Sequence, residues 1–109
     1  MIEVSSHHAK GFKVMAEHGE WKVGLLRYNE RFSKFGELER HLLTDEVFIL
    51  ACGNATLHTD KETLEMKQGS VYTVPVGVWH HIVVSEDAIV IVVENRNTSI
   101  ENTEKKFDV

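Results

Sequence analysis

One cysteine and one proline are all that this chain of 109 residues contains of either. The lone cysteine, Cys52, cannot close an internal disulfide, so no covalent staple holds the fold. It lies in an apolar run and reads as a small buried hydrophobe rather than a nucleophile. Long hydrophobic runs are missing too. None approaches the ~20 residues of a membrane span, and no cationic-then-apolar leader opens the sequence. The expectation is a cytoplasmic protein in a reducing setting, with no membrane partner. Basic residues are outnumbered, 12 Lys and Arg against 17 Asp and Glu, for a net charge of −5. That balance argues against a nucleic-acid partner, which needs clustered Lys and Arg. A convincing helix-period segment is also lacking.

What is present is a composition of ordinary globular type, 42% hydrophobic and 27% charged, which makes disorder the wrong default. The length allows one domain, residues 1–109, with a real core and no room for a second. Strand-like runs recur with glycine or acidic turns between them. Two N-terminal strands fall within residues 11–28, the second being Trp21 to Tyr28, with Trp21, Val23 and Leu25 on one face and Lys22, Leu26 and Tyr28 on the other. Glu37 to Leu42 reads as a short strand or edge segment with Glu39 and His41 on one face. Glu46 to Cys52 is the clearest strand, and Gly53-Asn54 suits a two-residue hairpin returning as Ala55 to Thr59, pairing Leu57 with Leu50 and leaving His58 outward. Ala88 to Glu94 is almost wholly apolar and should be covered on both faces, by the domain or by a second subunit. His7-His8 read as solvated on a loose terminus, and residues 96–109 as a polar tail, docked or frayed. The pattern predicts an all-β sandwich or barrel.

The most informative stretch runs from Gly69 to His80. Val71 to Val74 reads as a strand, which Pro75 and Gly77 end in a fixed bend, since proline cannot donate to a ladder and glycine accepts a positive φ. A new strand starts at His80, so a rigid turn presents an imidazole. His81, by alternation, faces outward or toward a partner.

These residues resemble the cupin family. Gly69-x5-Pro75-x-Gly77-x2-His80 matches the second cupin motif, except that its last position, an asparagine in the family, is Val84. His41-x4-Glu46-x6-Gly53 matches the second half of the first motif, whose preceding histidine is Glu39 here. The matching region spans roughly residues 36–95. The resemblance implies a small jelly-roll barrel (a double-stranded β-helix), with a divalent metal (Mn, Fe, Ni or Zn) held by His41, Glu46 and His80, and by Glu39 if it stands in for the missing histidine. Two carboxylates would favour Mn²⁺ or Fe²⁺. A second register puts Arg40 and Leu42 at the histidine positions and keeps only Glu46 and His80. The expected lining is Trp79 at the mouth with Tyr72, Phe48, Leu50, Leu57 and Ile82 inside, although a small barrel can equally be filled by such side chains.

Three functions stay open on the sequence. One is a metal-dependent isomerase, lyase or dioxygenase acting on a small polar molecule, with Glu46 or Tyr72 moving a proton. Another is a non-catalytic barrel that binds a small-molecule ligand. The last is a metal-free, degenerate scaffold. A homodimer is expected from the resemblance and from the apolar run at Ile89 to Val93.

Overall fold

The computed structural model describes residues 1–107 of the chain. Ten strands run in the order β1 (Gly11–His18), β2 (Trp21–Arg27), β3 (Glu37–His41), β4 (Glu46–Cys52), β5 (Ala55–Thr59), β6 (Thr63–Glu65), β7 (Val71–Val74), β8 (His80–Val84), β9 (Ile89–Asn95) and β10 (Thr103–Phe107). Short 3-10 turns precede β3 and β10, at Glu30–Phe32 and Ile100–Asn102. The strands form two five-stranded antiparallel sheets, ordered β1-β2-β9-β4-β7 and β10-β3-β8-β5-β6. From β2 onward every connection except β5–β6 carries the chain from one sheet to the other, which is the jelly-roll arrangement.

That topology corrects one pairing expected from the sequence. β4 pairs with β7 and β9, and β5 pairs with β6 and β8, so Leu50 and Leu57 are not hairpin partners. They belong to the same buried core from opposite sheets. Gly53 turns a corner between sheets; its φ is +76°, and a Cβ there would lie 2.7 Å from the Ala88 Cα. Turn composition looks the same in a hairpin and in a corner, so the sequence could not separate them. Cys52 is exposed, contrary to expectation, because β4 slips register against β9 between Leu50 and Cys52 and the alternation breaks there.

The interior is built from alternating positions of both sheets. Leu26, Phe48, Leu50, Val90 and Val92 come from one, and Leu57, Ile82 and Val84 from the other. β9 lies between β2 and β4, and its inward residues Val90 and Val92 are completely buried while Ile89, Ile91 and Val93 are half-buried on the outer side. Each such fully buried side chain contributes about 1.5–3 kcal/mol through the hydrophobic effect.

His7 and residues 103–107 are held by contacts that their composition does not suggest. His7 is buried and its Nε2–H donates to the Gly11 carbonyl at 2.8 Å. The tail closes the second sheet: β10 pairs with β3 along its whole length, Thr103 opposite His41 through Phe107 opposite Glu37. Ser99 and Asn102 form a capping box on the preceding turn. Charge rather than apolar burial secures β10. Arg40 donates to Glu104 at 2.7 Å, and the cations of Arg40 and Lys106 each lie 4.5 Å from the Trp79 ring centre.

The bend before β8 is a β-turn in which Val78 N–H donates to the Pro75 carbonyl at 3.1 Å, with Gly77 at φ +78° in the third position, as a type II turn requires. Gly77 N–H also donates to the His41 carbonyl at 2.9 Å, and Val76 N–H to Asp45 at 2.9 Å, fastening the turn to the β3–β4 connection. A Cβ at Gly77 would meet nothing within 4 Å, so any penalty there is backbone strain. Gly77→Val should lower stability by about 1–2 kcal/mol, and Gly77→Asn by less, as measured by urea denaturation. A Val variant as stable as the wild type would contradict this account of the turn.

Candidate metal centre

Residues from five strands meet at one end of the barrel. β8 begins at His80, whose Nδ1–H donates to the Val78 carbonyl at 2.9 Å. A carbonyl can only accept, so the proton sits on Nδ1 and the Nε2 face turns inward, 2.8 Å from Glu46 Oε1. His41, at the end of β3, is oriented by the same logic through one more link. The Thr103 hydroxyl donates to the Ser99 carbonyl at 2.7 Å, so its oxygen accepts from His41 Nδ1–H at 3.0 Å. His41 Nε2 is thereby directed at the same Glu46 oxygen, at 3.1 Å. Phe48 meets the His80 ring edge-on with centroids 5.9 Å apart, a packed wall behind it.

Two imidazoles with their outer nitrogens already donating thus face one carboxylate oxygen. Neutral rings would place three sets of lone pairs against each other, and only a proton or a metal cation relieves that. Without metal, protons serve. Burial works against charge on both His41 and Glu46, but their mutual hydrogen bonding and attraction win. His41 is raised above its ordinary value, with further help from Glu39 and Glu94, and Glu46 is held down at about 2 with His80 contributing.

Two further carboxylates stand beside the cluster. Glu39 shares the inward face with His80, its partner in the β3–β8 ladder. Its Oε2 accepts from Arg31 at 2.6 Å, and its Oε1 lies 3.9 Å from His41 Nε2. The other is Glu94, which the sequence reading passed over. It is buried, its Oε1 lies 3.9 Å from Lys22 Nζ, and its Oε2 has no hydrogen-bond partner among the described residues. Burial, and then the neighbouring Glu46, push its carboxyl up to about 8. Its signal was available in the sequence: Glu94 continues the inward row of Val90 and Val92, so the strand carries an acid into the interior.

The donor set fits a divalent ion. Ligand atoms of Glu39, His41 and His80, and likewise of His41, Glu46 and Glu94, lie within 4.8 Å of one another. Bonds of about 2.1 Å put neighbouring octahedral donors about 3.0 Å apart, close to the 2.8 and 3.1 Å separations of the imidazoles from Glu46. Neutral imidazole and carboxylate are ligands for Mn, Fe, Ni and Zn alike.

The cluster borders a cavity of about 380 Å³. Phe48, Ile82 and Val92 form apolar wall, and Arg31, Lys22 and Lys105 bring positive charge to it. Of the other residues expected to line it, Leu50 and Leu57 are packed in the core. Tyr72 packs against the core edge and its hydroxyl accepts from Lys67 N–H at 2.8 Å, outside the cavity lining. Trp79 lies between Arg40 and Lys106 rather than at the mouth, because it precedes the inward His80 and alternation sends it to the outer face. His81 was expected to face outward or toward a partner and is instead buried within the chain, covered by Phe32 and Phe35 from the β2–β3 connection at ring distances of 6.2 and 6.4 Å. Burial lowers its pKa. His58 stacks on Phe35 at 4.3 Å and is half-buried.

No protein-family model matches the chain, and no curated protein matches it. Solved structures do. A cupin-2 domain containing protein from Shewanella frigidimarina shares 25% identity over 85% of each chain, with a TM-score of 0.65. Pac13, described as a nucleoside dehydratase, shares 10% identity over 88% of this chain and 77% of its own, with a TM-score of 0.71; variants of the Streptomyces protein were solved with uridine. KdgF from Halomonas shares 16% identity over 77% of this chain and 76% of its own, with a TM-score of 0.64.

The cluster gives the metal-free protein a defined pH response. Glu94 has a folded value near 8 against an ordinary 4.5, so its contribution is fully present below 4.5 and is lost as pH rises through 8. His41, raised from 6.5, works in the same direction, whereas the depressed Glu46 contributes above 4.5 and loses its contribution as pH falls toward 2. After chelation, the urea midpoint of the wild type should fall more steeply between pH 5 and pH 9 than that of Glu94→Gln. Parallel profiles would contradict a proton held on Glu94.

Proposed function

We propose that this chain, whose fold is that of the cupin superfamily, binds a small polar molecule against a divalent metal ion held by His41, Glu46 and His80. One observation carries the reading: both histidines are fixed by their Nδ1–H bonds so that their Nε2 atoms converge on a single buried carboxylate oxygen. Orientation of metal-ligating imidazoles through the far nitrogen is the usual supporting arrangement at such centres. A bound ion would supply Lewis acidity toward a carbonyl or hydroxyl oxygen. The chain itself contributes the apolar wall of Phe48, Ile82 and Val92, which keeps water from the far side, and the cations Arg31, Lys22 and Lys105, which suit a ligand with anionic or hydroxyl groups.

The three ligands leave Mn, Fe, Ni and Zn open, and a second carboxylate shifts preference toward Mn²⁺ or Fe²⁺. Glu39 was the sequence-based candidate for that carboxylate, and it stands at the cluster with its other oxygen held by Arg31. The nucleoside dehydratase and the uridine-bound variants are likenesses of fold, and they support a small-molecule ligand without naming one for this chain. Binding without turnover is the second reading. It is favoured by the position of Tyr72, one of the two groups expected to move a proton, outside the cavity.

Elemental analysis of untagged protein should find about one divalent metal per chain, and His41→Ala and His80→Ala should each lose most of it while keeping the fold by circular dichroism. A wild type with no affinity for Mn²⁺, Fe²⁺, Ni²⁺ or Zn²⁺ would sink the proposal. Metal uptake without turnover on a panel of small acids, sugars and nucleosides selects the second reading over the first.

A further inference from the structure

We infer that Glu94, on β9, supplies the fourth protein ligand of this centre, the role that the first cupin motif would leave to Glu39. The inference rests on the metal reading above and names one of its ligands.

The register of the first sheet brings Glu94 to the site. Lys22 on β2 pairs with Glu94 on β9, and Val47 on β4 pairs with Val93, so Glu46 lies beside Glu94 one position further along. Lys22, Glu94 and Glu46 therefore form one row across three adjacent strands, all on the inward face. Like charges side by side on neighbouring strands are destabilising, and burial removes the water that would screen them. Lys22 answers only part of that charge. It sits 3.9 Å from Glu94 Oε1 and also donates to the Thr98 carbonyl at 3.0 Å. Glu94 Oε2 has no hydrogen-bond partner among the described residues, although the side chain is only 7% exposed. A buried carboxylate oxygen without a donor, within 4.8 Å of ligand atoms of His41 and Glu46, is placed to bind a cation.

Glu39 is differently committed. Arg31 holds its Oε2 at 2.6 Å and reaches Glu37 Oε1 at 3.1 Å, so one guanidinium already donates to both carboxylates of β3. Ligation by Glu39 would draw charge away from a formed ion pair. Ligation by Glu94 answers an oxygen that no hydrogen-bond partner reaches among the described residues.

Mn²⁺ titrated calorimetrically into the chelator-stripped full chain separates the two carboxylates. Glu94→Gln should weaken Mn²⁺ binding at least about tenfold, since even supporting partners of metal ligands are worth 10–100-fold. Glu94→Asp should fall between, and Glu39→Gln should stay within about threefold of wild type. With Co²⁺ as a second probe, the visible absorption should change in Glu94→Gln and not in Glu39→Gln, a coordination readout that a purely structural role for Glu94 would not move. If the Gln variant does not fold, Glu94→Asp reads the same point, because its carboxylate is one methylene further from the ion. Wild-type Mn²⁺ affinity and an unaltered Co²⁺ spectrum in the Glu94 variants overturn the assignment while leaving the metal reading intact, as does a Glu39→Gln loss equal to that of Glu94→Gln. A wild type that takes up no Mn²⁺, Fe²⁺, Ni²⁺ or Zn²⁺ overturns both.

Discussion

Two imidazole nitrogens lie 2.8 and 3.1 Å from one carboxylate oxygen inside the barrel, and each imidazole has already spent its other N–H on a fixed acceptor. That contact sets the terms for everything around it. Polar groups taken out of water must be satisfied, and an interior of low dielectric strengthens both the attraction when they are and the penalty when they are not. Here the shortfall is positive charge. Lys22, the protons on the cluster and the guanidinium of Arg31 each meet part of it, and burial, with Glu46 beside it, raises the Glu94 carboxyl to about 8.

The barrel divides its interior to accommodate this. Along β4 the inward residues are Glu46, Phe48 and Leu50, along β8 they are His80, Ile82 and Val84, and along β9 they run back from Glu94 to Val92 and Val90. Each strand thus passes from a polar end through a middle layer that borders the cavity to a packed end. The alternatives of a filled barrel and an open one are therefore both realised. Leu50, Leu57, Val84 and Val90 fill one half, while Phe48, Ile82 and Val92 are the floor on which the cavity rests.

How much of this could be read from the chain depended on whether the determining contact was local. The Pro75–Gly77 turn and the imidazole after it were legible because a proline, a positive-φ glycine and a strand start act within a few residues of each other. His41 and Glu46 became legible only by resemblance, since nothing in their spacing says that β3 and β4 lie in different sheets. The β4–β5 corner was misread because Gly53 turns a chain equally well within a sheet or between two. Glu94 was legible by alternation with Val90 and Val92 but was passed over as the end of an apolar run. His81 is covered because Phe32 and Phe35, from the connection between β2 and β3, fold over it.

The tail illustrates the same limit from the other side, and it bears on the site directly. Residues 96–109 carry too little apolar surface to announce a strand, and β10 is held instead by pairing with β3 and by the stack of Arg40, Trp79 and Lys106. Yet Thr103, its first residue, fixes the tautomer of His41, and the Ser99 carbonyl fixes the Thr103 hydroxyl in turn. Without that pair the His41 ring could present either nitrogen, and its Nε2 would have no reason to face Glu46. The strand nearest the end of the described chain is thus part of what makes the first imidazole a ligand-like group, as the Pro75–Gly77 turn is for the second. The two histidines reach one point by unrelated routes, a side-chain relay from β10 and a backbone carbonyl in a turn. Agreement between independent constraints is what separates an organised centre from a chance cluster of polar residues.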